Sequence, residues 1–222
     1  LVIVHGIEES SCLLCGTEQQ LLSLAIKLKG QQFGLPALAV QIEEALANIR
    51  RKKVWQIPCG KKQLVLGKKT LIMGILNVTP DSFSDGGTHD CLPQALAHAR
   101  KMIAEGVDII DVGGESTRPG YVQVSAQEEK ARVLPVIQAL RRETSLPISI
   151  VTYKAEVADA ALLAGADIMN DIWGLQKDPQ MALVAARHHC PVIVMHNQEG
   201  TSYTDVMGDM LAFFRRSKEI AL

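Results

Sequence analysis

The feature that most constrains the fold is a repeated alternation of short apolar runs with helical patterns from residue 70 onward. The apolar runs cover residues 71–77, 107–112, 148–151, 167–170 and 191–195. Helical spacing of apolar residues occupies much of the chain between and after them, at about 92–105, 126–143, 155–164, 180–189 and 205–220. Strands that are apolar nearly throughout and alternate with helices are typical of a parallel sheet covered by helices. The alternation predicts a (β/α)8 barrel or a doubly wound sheet.

The chain before residue 60 follows a different pattern. Apolar residues within 18–29 lie on one face of a helix, and a second helical pattern, 38–49, follows a Gly-Leu-Pro break. A basic stretch, 50–53, and the turn-rich sequence Pro58-Cys59-Gly60 then lead to the first apolar run. We expect residues 1–60 to form a helical extension with a linker, and residues 61–222 to form a partial barrel domain.

Composition excludes several classes of protein. The 222 residues carry a formal net charge of −1 with the signs interleaved, which argues against a nucleic-acid partner. No apolar run approaches the roughly 18 residues that a membrane span needs, so we expect no membrane partner. The 5 cysteines are an odd, scattered set, which favours a reducing compartment over a disulfide framework. We therefore predict a cytoplasmic protein.

Polar residues gather where the apolar runs end. Segments rich in Asp, Ser, Thr and Gly begin at Asn77 and at Asp111, and Asn170 closes the fourth run. In both candidate architectures ligands bind at the carboxyl ends of the strands. Arg118 offers a fork of donors suited to phosphate or carboxylate, and Asn77 with nearby carboxylates suits Mg²⁺ bound to a pyrophosphate. Lys154, at a predicted helix start, is left open between the surface and the site.

Two of these segments resemble signatures of the dihydropteroate synthases. Residues 73–87 read MGILNVTPDSFSDGG, and residues 108–120 read DIIDVGGESTRPG. The similarity continues at 153–158, 166–171 and 195–196, and so extends from residue 70 to the last residue. It implies a TIM-type (β/α)8 barrel. It also implies a transferase that joins 7,8-dihydropterin-6-ylmethyl diphosphate to 4-aminobenzoate in folate synthesis, releasing diphosphate.

The resemblance also implies roles for individual residues. Asn77 would contact Mg²⁺ and the diphosphate, whereas Asp111 and Asn170 would line the pterin pocket. The loops after the first two strands would order over the diphosphate and form the aminobenzoate subsite, through Asp81, Phe83, Ser84, Asp85, Thr117, Arg118 and Pro119. Of these, Asp85, Thr117 and Arg118 are the catalytic candidates. The implied SN1-like loss of diphosphate needs electrostatic stabilisation of the leaving group rather than a strong base.

The chain departs from the family pattern in two ways. The family's third strand ends in Val-Asp-Thr, but residues 149–152 read SIVT, so Val151 stands where a pterin-binding carboxylate is implied. Loss of such a charged hydrogen bond costs about 1.5–3 kcal/mol. The later signatures, an Asp-Pro-Gly strand end, a Ser-Arg-Lys segment and a terminal Arg-x-His, do not occur. We therefore expect a fragment with about five of the eight βα units of a barrel, poorly stable by itself.

Two alternatives to an active synthase stay open. One is a pterin-binding methyltransferase-type domain serving a corrinoid partner, which would not need the diphosphate loops at 77–87 and 115–120. The other is a catalytically inactive remnant of a synthase, which Val151 and the missing signatures favour. The resemblance further implies small-molecule substrates and a homodimer in the full-length protein.

Overall fold

The computed structural model describes residues 13–50, 54–60, 62–79, 91–116, 123–200 and 202–222. The chain divides into two compact units, Leu1–Lys53 and Val54–Leu222. This division precedes residues 54–60, whereas the sequence predicted a boundary at residue 60. The difference arises because most of those residues form a strand that pairs within the second unit.

The first unit contains two helices, α1 (Glu18–Lys29) and α2 (Leu35–Arg50). Helix α1 begins at a capping box, in which the Gln20 amide donates to the Thr17 hydroxyl and the Gln20 side chain accepts from the Thr17 amide. The helices pack through a small apolar cluster whose buried members are Ala25, Ala39, Ile42 and Leu46.

The second unit begins with a hairpin that the sequence patterns did not predict. Its strands, β1 (Trp55–Cys59) and β2 (Lys62–Leu66), pair antiparallel. Cys59 and Leu64 of the hairpin pack together with the first residues of three sheet strands, Met73, Ile109 and Ile168. The hairpin therefore covers the amino-terminal end of the main sheet.

The main sheet has five parallel strands in chain order, and α-helices follow each of them. The strands are β3 (Met73–Asn77), β4 (Ile109–Gly113), β5 (Ile148–Val151), β6 (Ile168–Asp171) and β7 (Val192–Val194). The helices are α3 (Cys91–Glu105), α4 (Ala126–Glu143), α5 (Ala155–Ala164), α6 (Met181–His188) and α7 (Val206–Ala221). The prediction of an α/β fold with five consecutive βα units is confirmed.

The two faces of the sheet have different environments. One face packs against the helices and forms the core, with Leu76, Ile110, Val112, Ile150 and Met169 all fully buried. Burying a side chain of this size stabilises the fold by about 1.5–3 kcal/mol. The opposite face carries the alternate residues of each strand, among them Asn77, Asp111 and Asn170. All three described candidate site residues thus lie on the face turned away from the helices.

Helix ends near this sheet follow recognisable local signals. The Ser125 hydroxyl accepts a hydrogen bond of 3.1 Å from the Glu128 amide and so caps α4. Helix α5 ends at Gly165, whose φ of 117° few other residues adopt. None of the helices in the described ranges has the length and apolar character to cross a membrane.

Candidate functional site

A row of side-by-side residues crosses the sheet near the carboxyl ends of its strands. Asn77 pairs with Gly113, Gly113 with Val151, Val151 with Asn170, and Asn170 with Ile193. Because the strands are parallel and in register, these positions face the same side of the sheet. The row brings together two of the predicted site residues, Asn77 and Asn170, and Val151, where the resemblance predicted a carboxylate.

Asp111 lies on the same face of β4, two residues before Gly113, and is hydrogen-bonded to Asn170 of this row. The Nδ2 atom of Asn170 donates a hydrogen bond of 3.0 Å to Oδ2 of Asp111. Asp111 is 4% exposed, and its other oxygen, Oδ1, has no hydrogen-bond partner among the described residues. A buried carboxylate oxygen without a partner is costly, and it is a ready acceptor for an N–H group of a ligand.

Burial also changes the ionisation of Asp111. Desolvation raises the pKa of its carboxyl, and the neighbouring Ser149 hydroxyl and Asn170 amide oppose that rise. Ser149 is fully buried and pairs with Asp111 in the sheet register, near enough to oppose the rise in that carboxyl's pKa, yet its Oγ makes no hydrogen bond of good geometry with any described group. Two buried polar atoms on the same face of adjacent strands, Asp111 Oδ1 and Ser149 Oγ, are therefore without a well-formed hydrogen bond to the described part of the chain.

Asn77 ends β3 with an exposed side chain. The next residue, Val78, donates a backbone hydrogen bond of 2.7 Å to the carbonyl of Gly113, which holds the end of β3 to β4. A Cβ atom at Gly113 would lie 3.4 Å from Asn77 Oδ1 and 3.7 Å from the Cβ of Val151. Glycine at this position keeps the space between Asn77 and Val151 open.

The donor set for a metal ion is small in the described part of the chain. No group of three or more His, Cys, Asp or Glu side chains there could hold a metal. Asn77 offers a single exposed amide oxygen at the strand end. One protein oxygen suits Mg²⁺ that is bound mainly by phosphate oxygens and water, and it does not suit a cage of protein ligands.

Asp81, Phe83, Ser84 and Asp85 lie outside the described residues, and so do Thr117, Arg118 and Pro119. Their positions in the sequence follow β3 and β4 directly, next to Asn77 and to Glu115. Their roles stay predictions from the resemblance.

A buried charged cluster near the ends of β4 and β5 was not predicted as part of the site. Lys154 Nζ contacts carboxylate oxygens of both Glu115 and Glu129, and Tyr153 donates a hydrogen bond of 3.0 Å to Glu115. The sequence left Lys154 open between surface and site. The position of Lys154 shortly after the end of β5 was the sequence signal that could have placed it in the site. Glu129 gave no such signal, because it lies in the first turn of a helix, where a carboxylate is usually solvated.

Comparison with known proteins identifies the family. A family model described as "Pterin binding enzyme" matches residues 73–222. The dihydropteroate synthase of Bacillus subtilis is 57% identical over 155 residues, which cover 70% of this chain and 54% of that protein. A dihydropteroate synthase structure from Clostridium difficile, in the presence of pteroic acid, matches with TM-score 0.67 and 54% identity, over 69% of this chain and 59% of that chain.

A second solved structure agrees with the first. The Xanthomonas albilineans dihydropteroate synthase with 4-aminobenzoic acid matches with TM-score 0.70 and 42% identity, over 75% of this chain and 60% of that chain. These matches confirm the predicted incomplete TIM-type barrel, and the chain spans 54–60% of the length of the three relatives. Since the family model covers more than half of the sequence, this chain belongs to the family of pterin-binding enzymes.

Proposed function

We propose that the chain carries the pterin and diphosphate part of a dihydropteroate synthase site. In the proposed reaction, the bond between the pterin methylene carbon and a diphosphate oxygen breaks, and diphosphate leaves with the electron pair. A bond from that carbon to the amine nitrogen of 4-aminobenzoate forms, and the nitrogen then loses a proton. The relatives that match most of this chain carry the name of this synthase, which supports the proposal.

The observation that carries the proposal is the Asp111–Asn170 pair. The amino-pyrimidine edge of a pterin presents adjacent N–H donors, and Asp111 Oδ1 is a buried acceptor with no partner among the described residues. Asn170 holds the carboxylate from the other side through its 3.0 Å hydrogen bond. A charged acceptor already oriented by a neighbouring amide can receive such an edge with little rearrangement.

The diphosphate end of the ligand is proposed to lie at Asn77. Mg²⁺, when bound with the diphosphate, would neutralise negative charge on the leaving group. Asn77 would contribute one oxygen to that ion or one hydrogen bond to the diphosphate. From the resemblance we propose that the two segments after β3 and β4 complete the aminobenzoate and diphosphate subsites, with Asp85, Thr117 and Arg118 as catalytic residues and Asp81, Phe83, Ser84 and Pro119 as contacts.

Calorimetric titration of the 222-residue chain tests this proposal. We expect 7,8-dihydropterin-6-ylmethyl diphosphate to bind, and more tightly when Mg²⁺ is present. Asn170→Ala should weaken binding by about tenfold or more, since a charged hydrogen bond and the orientation of Asp111 are both lost. The matched control, Asn48→Ala on an exposed position of α2, should bind like the unsubstituted chain. Equal affinities for the two variants, or no binding at all, would refute the proposed site.

One observation favours the alternative of an inactive remnant. Val151 places an apolar side chain between Gly113 and Asn170, in the row where the family resemblance implies a carboxylate. Chromatographic detection of dihydropteroate separates the two functions. Binding of the pterin diphosphate without product would mean that the chain recognises the substrate and does not turn it over. Homodimer formation stays a prediction from the resemblance.

A further inference from the structure

Two buried carboxylates and one half-buried ammonium lie together near the carboxyl end of β4. The Lys154 ammonium contacts Glu115 Oε2 and lies 2.6 Å from Glu129 Oε2. The side chains of Lys154, Glu115 and Glu129 are 17%, 6% and 1% exposed. Charged groups are rarely buried to this degree unless they are paired, and removal of one partner leaves the other charge uncompensated.

The lysine is the central member of this cluster. Burial lowers the pKa of Lys154, but the hydrogen bonds to Glu115 and Glu129 outweigh that effect and raise it. Burial raises the pKa of Glu129, and Lys154 opposes the rise. The ammonium therefore stays protonated at neutral pH and is the positive charge that lets two carboxylates remain buried side by side.

Glu115 connects this cluster to the backbone on both sides of the 117–122 segment. It receives hydrogen bonds from the Tyr153 hydroxyl at 3.0 Å and from the Val124 amide at 3.2 Å. Glu115 precedes the segment, and Val124 follows it. The Glu115 carboxylate thus connects the chain before this segment to Val124 after it.

Helix α4, which carries Glu129 of this cluster, also contacts the backbone beside Asn77. Arg132 of α4 donates a hydrogen bond of 2.8 Å to the Gly114 carbonyl. A Cβ atom at Gly114 would lie 2.7 Å from Val133 Cγ1 and 3.1 Å from Glu129 Cγ, so α4 packs directly on this backbone. The preceding residue, Gly113, accepts the hydrogen bond from Val78 that holds the end of β3.

We propose that Lys154 is a positioning residue for the diphosphate end of the site: through Glu115 and Glu129 it holds the backbone at Gly113–Glu115 and at Val124. This inference rests on the proposed function. Lys154 does not touch the ligand in this arrangement. Its effect should therefore appear in recognition of the diphosphate group and be small for the pterin ring, which Asp111 and Asn170 would receive from within strands β4 and β6, before the strand ends.

The first test compares two ligands in the 222-residue chain. One ligand is 7,8-dihydropterin-6-ylmethyl diphosphate with Mg²⁺, and the other is the 6-hydroxymethyl pterin without diphosphate. Lys154→Met should lose about tenfold or more in affinity for the first ligand and less than about twofold for the second. Lys154→Arg, which keeps the charge, should recover most of the loss. Equal losses for the two ligands would show a merely structural role and overturn the proposal, as would unchanged affinities.

Matched variants separate a specific loss of affinity from a loss caused by general destabilisation. Lys130→Met removes the more exposed ion pair with Glu156, which joins α4 to the first turn of α5, close to the Lys154–Glu129 pair. It should leave both affinities unchanged. Tyr153→Phe removes one donor to Glu115 without leaving an unpaired charge, and it should lower affinity for the diphosphate ligand by about threefold. If Lys154→Met does not fold, the Tyr153→Phe and Lys154→Arg measurements decide the question.

A second test needs no ligand. Hydrogen exchange of the Val124 amide should be about tenfold faster in Lys154→Met than in the unsubstituted chain, because Glu115 would no longer be held in place to accept its hydrogen bond. Lys130→Met should exchange like the unsubstituted chain. If the chain binds neither ligand, the proposed function fails, and this exchange measurement alone then judges the positioning role. An unchanged Val124 rate in Lys154→Met would refute it.

Discussion

Asn170 Nδ2 donates a hydrogen bond to Asp111 Oδ2 across 3.0 Å, and this bond connects β6 to β4 over the intervening strand β5. On that strand lie Ser149, whose buried hydroxyl has no hydrogen-bond partner within the described ranges, and Val151, whose side chain is apolar. The pair therefore places two polar side chains on this sheet face on either side of β5, next to the apolar Val151. Both facts lead to predictions about stability and binding.

Asp111→Asn should stabilise the fold while weakening pterin binding. Burial raises the pKa of Asp111, so the folded chain holds the proton more tightly than the unfolded chain does. This contribution to stability is fully present below the unfolded-state pKa and is lost as pH rises through the folded-state pKa. The neutral amide avoids that loss. We expect the midpoint of thermal unfolding at pH 7.5 to rise by about 2–4 °C, as about 1 kcal/mol does in a chain of this size.

Asp108→Asn is the control, because it should change the midpoint of thermal unfolding in the opposite direction. The pKa of Asp108 is lowered by its hydrogen bonds with Lys69 and with the Ile72 amide, so its stabilisation is present above the unfolded-state pKa and lost as pH falls. This variant should lower the midpoint at pH 7.5. Melting curves are recorded across pH 4–8. If both substitutions shift the unfolding midpoint in the same direction, the raised pKa of Asp111 and the lowered pKa of Asp108 cannot both be correct.

Val151→Asp should improve recognition of the pterin. The new carboxylate would stand between Gly113 and Asn170 and would add a charged acceptor beside Asp111. A charged hydrogen bond of about 1.5–3 kcal/mol corresponds to roughly one to two decades in the dissociation constant. Val151→Thr is the control, because it adds a hydroxyl of similar size without a charge. Titration calorimetry in which the aspartate variant binds no better than the threonine variant would rule the carboxylate role out.

Gly114→Ala should destabilise the second unit. An added Cβ would meet Val133 Cγ1 at 2.7 Å and Glu129 Cγ at 3.1 Å, and α4 would have to shift outward. Overpacking of this kind costs about 1–3 kcal/mol. The adjacent control, Gly113→Ala, would make contacts of 3.4 Å or longer and should cost less. Denaturant unfolding should rank the two variants in this order, and the reverse order would refute the close packing of α4.

Alkylation should distinguish two of the cysteines. Cys59 is 2% exposed, and burial raises its pKa to about 11, whereas Cys15 is exposed. Because the thiolate is the reactive form, iodoacetamide at pH 8 should modify Cys15 quickly and Cys59 only after unfolding. Peptide mass spectrometry measures both sites in one sample. Labelling of Cys59 at the rate of Cys15 would mean that the hairpin does not cover the sheet end as described.

Several elements of the second unit were predictable because local pattern and tertiary environment agree. Helix α4 and strand β5 have the predicted bounds, since helical spacing and an unbroken apolar run mark them clearly. The β1–β2 hairpin was not predicted. Its strands are short, one contains Pro58, and their pairing is stabilised by packing of Cys59 and Leu64 on distant strands rather than by their own sequence pattern.

The sequence by itself determined the order of strands and helices from β3 onward, the polar strand ends and the family, because these depend on local periodicity and contiguous motifs. Only the tertiary structure decided which polar groups meet. Asp111 and Asn170 are 59 residues apart, and Lys154 is 25 residues from Glu129 and 39 from Glu115. Such pairings follow from the register of parallel strands and from the packing of α4 against β4. No local pattern encodes them, because a buried glutamate and a solvated one look alike in a helix's first turn.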